Sequence, residues 1–92
     1  ATVFTPSDAP GACGVVLNDS LLQVALSSED FAGGANCGRN VDIHVDGLVS
    51  VIATVQDECP GCPADGLDLT AGLFSMLADP VLGSVEVQWN LV

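Results

Sequence analysis

Val41, Ile43 and Val45 alternate with Asp42, His44 and Asp46, and after Asp46-Gly47 the alternation resumes through Val49, Val51, Ala53 and Val55. A period of two on both sides of an Asp-Gly pair predicts a β-hairpin. Leu48 and Ile52 fall on the opposite row of the second strand, so that strand is expected to be covered on both faces, as in a closed barrel. The same period returns at the end, where Val85, Val87, Trp89 and Leu91 alternate with Glu86, Gln88 and Asn90, predicting a last strand that buries Trp89. Further strands are expected from Thr2 to Thr5 and from Leu21 to Leu26. Two short helices interrupt the strands. Thr70 is a good N-cap, Leu69 is set to staple against Phe74, Leu73 and Leu77 form the inward stripe, and Asp79-Pro80 stops the helix. Ser27 begins a shorter one, with Asp30 three residues on in the capping-box position and Phe31 turned inward. The pattern is that of an all-β barrel of about six strands with one or two short helices, forming a single domain over residues 1–92.

Ninety-two residues leave a chain marginally stable through burial alone, and four Cys suit that need for cross-links. An even Cys count without a cytosolic cofactor motif points to an oxidising, extracellular compartment. The strand-like opening Thr2-Val3-Phe4-Thr5 fits the mature form of a secreted protein. Twelve acids stand against Arg39 alone, for a net charge of -11. Nucleic acid, anionic lipid and acidic pectin are not expected as partners, because binding them depends on Lys and Arg neutralising the polymer. Neutral glycans and cationic partners remain, as does a plain role for the charge in solubility. No apolar run reaches the ~20 residues of a membrane span.

Candidate chemistry concentrates in Asp57-Glu58-Cys59-Pro60-Gly61-Cys62 and the following Leu67-Asp68-Leu69-Thr70. Two carboxylates thereby flank a short Cys-rich loop. Such an arrangement suits a groove that holds or cleaves sugars, since carboxylates accept hydrogen bonds from hydroxyls and a protonated one can act as a general acid. Equally, both Asp could cap turns. Cys59-Pro60-Gly61-Cys62 lacks the βαβ setting of a thioredoxin-like site, and no second close Cys pair or His completes a zinc site, so no cofactor or metal is expected. Structural disulfides remain, with three pairings open to four Cys. His44 reads as a surface residue between two Asp, and Asn18-Asp19-Ser20 is a glycosylation sequon.

Six segments in order along the whole chain carry a family resemblance: Ala1-Thr2-Val3-Phe4, Gly11-Ala12-Cys13-Gly14, Asn36-Cys37-Gly38-Arg39, the Asp57 to Cys62 run, Leu67-Asp68-Leu69-Thr70, and Val87-Gln88-Trp89-Asn90-Leu91-Val92. Together they resemble domain one of the barwin-related expansins, and especially the stand-alone expansin-like loosenins of fungi. The resemblance implies a six-stranded double-psi β-barrel with a polysaccharide groove. It also implies groove-lining roles for Thr2, Phe4, Asp8, Asp57 and Asp68, with Asp68 the key acid and the pairs Cys13 with Cys37 and Cys59 with Cys62. Expansins carry His and Phe where this chain has Gly66 and Leu67, and the chain has no Tyr. Phe4 could therefore stack on a glycan or pack inside. The implied activity is secreted, non-hydrolytic loosening of cellulose or chitin by a monomer. An inhibitor of papain-like cysteine proteases acting through a loop from Asp57 to Leu67 is the alternative, and a glycan-cleaving enzyme is a third reading.

Overall fold

A computed structural model describes residues 1–4, 10–45 and 49–92. Asp8, Thr5, the Asp46-Gly47 turn and Leu48 lie outside the described residues. The strands are β1 (Thr2–Val3), β2 (Gln23–Ser27), β3 (Asn40–Val45), β4 (Val49–Cys59), β5 (Leu67–Leu69) and β6 (Gln88–Leu91). Two helices, α1 (Ser28–Phe31) and α2 (Ala71–Leu77), follow β2 and β5.

All six strands join one sheet in the order β1-β5-β2-β4-β3-β6. Parallel pairs β1 with β5 and β2 with β4 sit beside antiparallel pairs β2 with β5, β3 with β4 and β3 with β6. The free edge of β1 meets the chain just ahead of β6. Thr2 bridges to Ser84, and the Val85 N–H donates to the Ala1 carbonyl at 2.9 Å, which curls the sheet toward closure. The hairpin forms as its alternation predicts, with Val45 opposite Val49 and Val41 opposite Ala53.

Inside the curl lie Val24, Leu26, Val41, Ile43, Ala53, Val55, Leu67 and Leu69, with Leu73, Phe74 and Leu77 of α2 and Phe31 of α1. The alternating rows thus face one interior, and the helices supply the large side chains at its ends. Ser27 caps α1 by accepting from the Asp30 N–H at 3.3 Å while its hydroxyl donates to Asp30 Oδ2 at 2.9 Å. Thr70 stands at the N-cap of α2, but its hydroxyl is used elsewhere. It donates to the Leu21 carbonyl at 2.6 Å, tying the helix start to the chain leading into β2.

Two burial expectations are corrected. Ile52 is 49% exposed, so β4 is not covered on both faces there. The doubly covered strand is β2, buried at all five positions. It lies between β5 and β4, and the loop before it folds over its outer side. Gln23, 4% exposed, accepts from the Asn18 N–H at 2.9 Å and donates to the Val16 carbonyl at 3.4 Å. Trp89 is half-buried at the margin of the core, because its indole Nε1 reaches out to donate to the Asp65 carbonyl at 3.0 Å. Three strands also differ in extent: β1 ends at Val3, β2 begins at Gln23 instead of Leu21, and β6 begins at Gln88 instead of Val85.

Candidate functional site

Strand register builds the site. Thr2 on β1 is opposite Asp68 on β5, Asp68 is opposite Ala25 on β2, and Ala25 is opposite Asp57 on β4. Paired residues at one level of a sheet share a face, so these four make a row across four adjacent strands. Leu67 and Leu69 flank Asp68 and point inward, which turns Asp68 to the outer face.

A bulge delivers Asp57 to that row. Along β4, Val51, Ala53 and Val55 face the core, and strict alternation would send residue 57 inward with them. Between Val24 and Ala25 the register steps from Val55 to Asp57, leaving Gln56 as the extra residue. One extra residue reverses the facing of everything beyond it. Asp57 is therefore part of a strand, not of a loop after it.

The two carboxylates are held differently. Asp57 Oδ1 accepts the Ala12 N–H and the Glu58 N–H, each at 2.8 Å. Asp68 Oδ1 accepts the Thr2 hydroxyl, and its Oδ2 lies 3.6 Å from Cys59 Sγ. That sulfur is in a disulfide and has no proton to donate, so Oδ2 has no hydrogen-bond donor among the described residues. Two inter-strand steps separate the acids, roughly 10 Å between Cα atoms. Thr2 is exposed, while Phe4, Asp57 and Asp68 are half-buried. Phe4 lies outside the hydrophobic core cluster and, two residues past Thr2, shares its face. Its N–H continues the β1–β5 ladder by donating to the Leu69 carbonyl at 3.0 Å.

Cys13 is bonded to Cys37 and Cys59 to Cys62, the pairing that the resemblance implies. The first bridge anchors the loop that holds Asp57. In that loop Gly11 presses on β4 so closely that a Cβ would stand 2.6 Å from the Gln56 carbonyl oxygen and 3.1 Å from Asp57 Cβ. Gly11→Ala is expected to cost about 1–3 kcal/mol through this overpacking. The bond from Ala12 to Asp57 should go with it. A melting curve as high as the parent's, with unchanged exchange protection at Ala12, would contradict that docking. Nothing in the sequence marks this use of the Gly11 to Gly14 motif, because it depends on the loop meeting a bulge that lies 45 residues away.

Asn18 is exposed, with its Oδ1 accepting from the Ser20 N–H at 2.8 Å and hydroxyl at 2.6 Å. His44 Nε2 stands 3.0 Å from Asp42 Oδ2 on the outer face of β3, consistent with a surface residue beside an acid. Arg39 bonds Asn36 Oδ1 at 3.2 Å and pairs with no carboxylate among the described residues. The cation near the row is the Ala1 ammonium, which donates to the Val85 carbonyl at 2.7 Å and interacts with the Asp68 charge. Beyond the row, an open hollow of about 480 Å³ is lined by Val15, Leu21, Leu22, Ile52, Gln23 and Thr54 together with the bulged Gln56.

No protein-family model matches the chain. An EG45-like domain containing protein of Citrus jambhiri is 30% identical over 102 residues, covering 98% of this chain and 77% of its own. A rice protein (Oryza sativa subsp. japonica) described as putative ripening-related protein 6 is 42% identical over 89 residues, covering 88% of this chain. The chain spans only 53% of that protein. Among solved structures, a single-substitution mutant of the Clavibacter michiganensis expansin in complex with cellohexaose superposes with TM-score 0.88 at 27% identity, over 99% of this chain and 47% of that one. A Streptomyces papain inhibitor superposes with TM-score 0.83 at 25% identity, over 99% of this chain and 88% of its own. The fold is thus the six-stranded double-psi barrel, all-β with two short helices. With this barrel, and with a citrus relative matched over most of both sequences, the chain belongs to the expansin-like, barwin-related family that includes the EG45-like domain proteins.

Proposed function

We propose that the protein binds a neutral polysaccharide of the cellulose or chitin type across the row that carries Thr2, Asp68 and Asp57, with the buried Ala25 beneath it between the two acids, outside the cell, and loosens chain packing without cleaving it. The observation that carries this reading is the row itself. It sets a hydroxyl, a carboxylate with one oxygen lacking a donor and a second acid at one level within four neighbouring strands. Sugar hydroxyls are donors that a carboxylate accepts strongly. Phe4 adds an apolar ring on the same face, and Asp8 belongs to the same groove in this reading. The cellohexaose bound to the bacterial expansin supports a glucan-like ligand. The protein acts as a monomer, with Asn18 available for glycosylation.

The way the acids are used supports binding without cleavage. Inverting hydrolysis needs a protonated acid and a separate carboxylate free to activate water. Asp57 Oδ1 already holds two backbone N–H groups, and that engagement anchors the Gly11 loop. Asp68 remains as a hydrogen-bonding group that favours a strained glycan chain over a packed one, and packing shifts only by that difference in affinity. Co-sedimentation with cellulose, chitin, xylan and peptidoglycan, with reducing ends assayed in the same tubes, tests both parts. Retention on at least one neutral glycan with no rise in reducing ends is expected. Sugar release that disappears in Asp68→Asn would make the protein an enzyme.

The match to the Streptomyces papain inhibitor over 88% of its length favours one second reading, inhibition of a papain-like protease. An inhibitor would use the turn after β4, beyond Cys59, and would be indifferent to Asp68. Papain inhibition without retention on any glycan selects it.

A further inference from the structure

The Cys59–Cys62 bridge differs from its counterpart in surroundings. Cys13 and Cys37 pack against the hydrophobic core, whereas Cys59 and Cys62 are outside that cluster at the rim, half-buried beside Asp68. It also closes the shorter loop, with a sequence separation of 3 against 24, so opening it frees the least chain.

The two sulfurs and a carboxylate oxygen of Asp68 lie within 4.8 Å of one another. Sequence spacing supplies the Cys-x-x-Cys pair, and the fold brings the third group from the next strand but one. We propose that, when the Cys59–Cys62 bond is reduced, the two thiolates and the Asp68 carboxylate chelate one thiophilic divalent cation such as Zn²⁺. A dithiol or phosphine reductant supplies the two electrons. The S–S bond breaks to two thiols, the dithiol is oxidised to its disulfide, or the phosphine to its oxide with water supplying the oxygen and the two protons, and the cation then displaces both thiol protons into solvent. Tetrahedral zinc with bonds of about 2.3 Å needs sulfurs about 3.8 Å apart. The two Cα atoms are 5.4 Å apart across the turn, within reach of that spacing by side-chain rotation.

Charge and orientation favour a cation. Asp68 Oδ1 is already fixed by the Thr2 hydroxyl, which leaves Oδ2 beside Cys59 Sγ as the ligand atom and makes Thr2 its outer-shell support. The chain has no Lys, its single Arg39 is engaged with Asn36 among the described residues, the Ala1 ammonium near Asp68 is tied to the Val85 carbonyl at 2.7 Å, and the net charge of -11 raises the local cation concentration. A water completes the fourth position.

The test uses the intact chain, titrated with phosphine and mapped by alkylation and mass, then titrated with Cd²⁺ while sulfur-to-cadmium charge transfer is recorded in the ultraviolet. One Cd²⁺ is expected to bind once Cys59 and Cys62 are reduced, in competition with Zn²⁺. None should bind to the oxidised chain or to reduced Cys59→Ser/Cys62→Ser. Asp68→Asn should weaken binding by at least about tenfold, since loss of even an outer-shell partner costs that much. Glycan binding does not enter this readout. Cys13–Cys37 opening first, Cd²⁺ binding to the double Ser variant as to the parent, or an Asp68→Asn affinity equal to the parent's would each overturn the proposal.

Discussion

Replacing Cys13 and Cys37 together by Ala is expected to lower the free energy of unfolding by about 3.5 kcal/mol, the loop-closure cost for a bridge spanning roughly 25 residues. The bridge ties the Gly11 to Val16 turn to the segment ahead of β3, and both sulfurs pack against the core. A small domain holds about 5–15 kcal/mol in all, so a large share of its stability is at stake. The same relation assigns about 2 kcal/mol to a four-residue loop, so Cys59→Ser/Cys62→Ser should be the milder change. Chemical denaturation of the two double variants side by side measures the contrast. A Cys59/Cys62 variant that unfolds at the lower denaturant concentration would show that the rim loop supports the barrel more than the core-side bridge does.

Asp68→Asn is expected to weaken glycan retention by about 10- to 100-fold, corresponding to loss of a charge-assisted hydrogen bond of ~1.5–3 kcal/mol. The fold should be untouched, because Asn keeps an acceptor for the Thr2 hydroxyl and sits on the outer face between two buried Leu. Asp57→Asn tests the other end of the row and mixes two effects, since that carboxylate also holds Ala12. Asp68→Asn is therefore the sharper probe. Parent-like retention of Asp68→Asn on every glycan that binds the parent removes Asp68, and with it the row, from the binding account.

Elements whose partners are close in sequence are legible in the residue pattern alone. The β3–β4 hairpin, the Ser27 cap with Asp30, the α2 stripe of Leu73, Phe74 and Leu77 and the strand carrying Trp89 all follow from periods and caps acting over a few residues. The barrel, the pairing of the Cys and the nomination of Thr2, Asp57 and Asp68 rest on motif resemblance along the chain. Local chemistry alone leaves them open. Thr70 marks the boundary. Its position at the helix start is readable, but its hydroxyl serves the Leu21 carbonyl, 49 residues away in sequence.

Tertiary structure decided which acids share a face. Alternation along β4 assigns Asp57 to the core side, and only the mismatch between β2 and β4 at Gln56 turns it outward into line with Ala25, Asp68 and Thr2. A bulge belongs to a pair of strands, so one strand's periodicity cannot contain it. Exposure of Ile52 and full burial of β2 have the same origin, because a strand's outer face is covered or bare according to whether a loop folds back over it. Hydrophobic period thus determined the elements and their inward rows, while the register between strands distant in sequence determined the site.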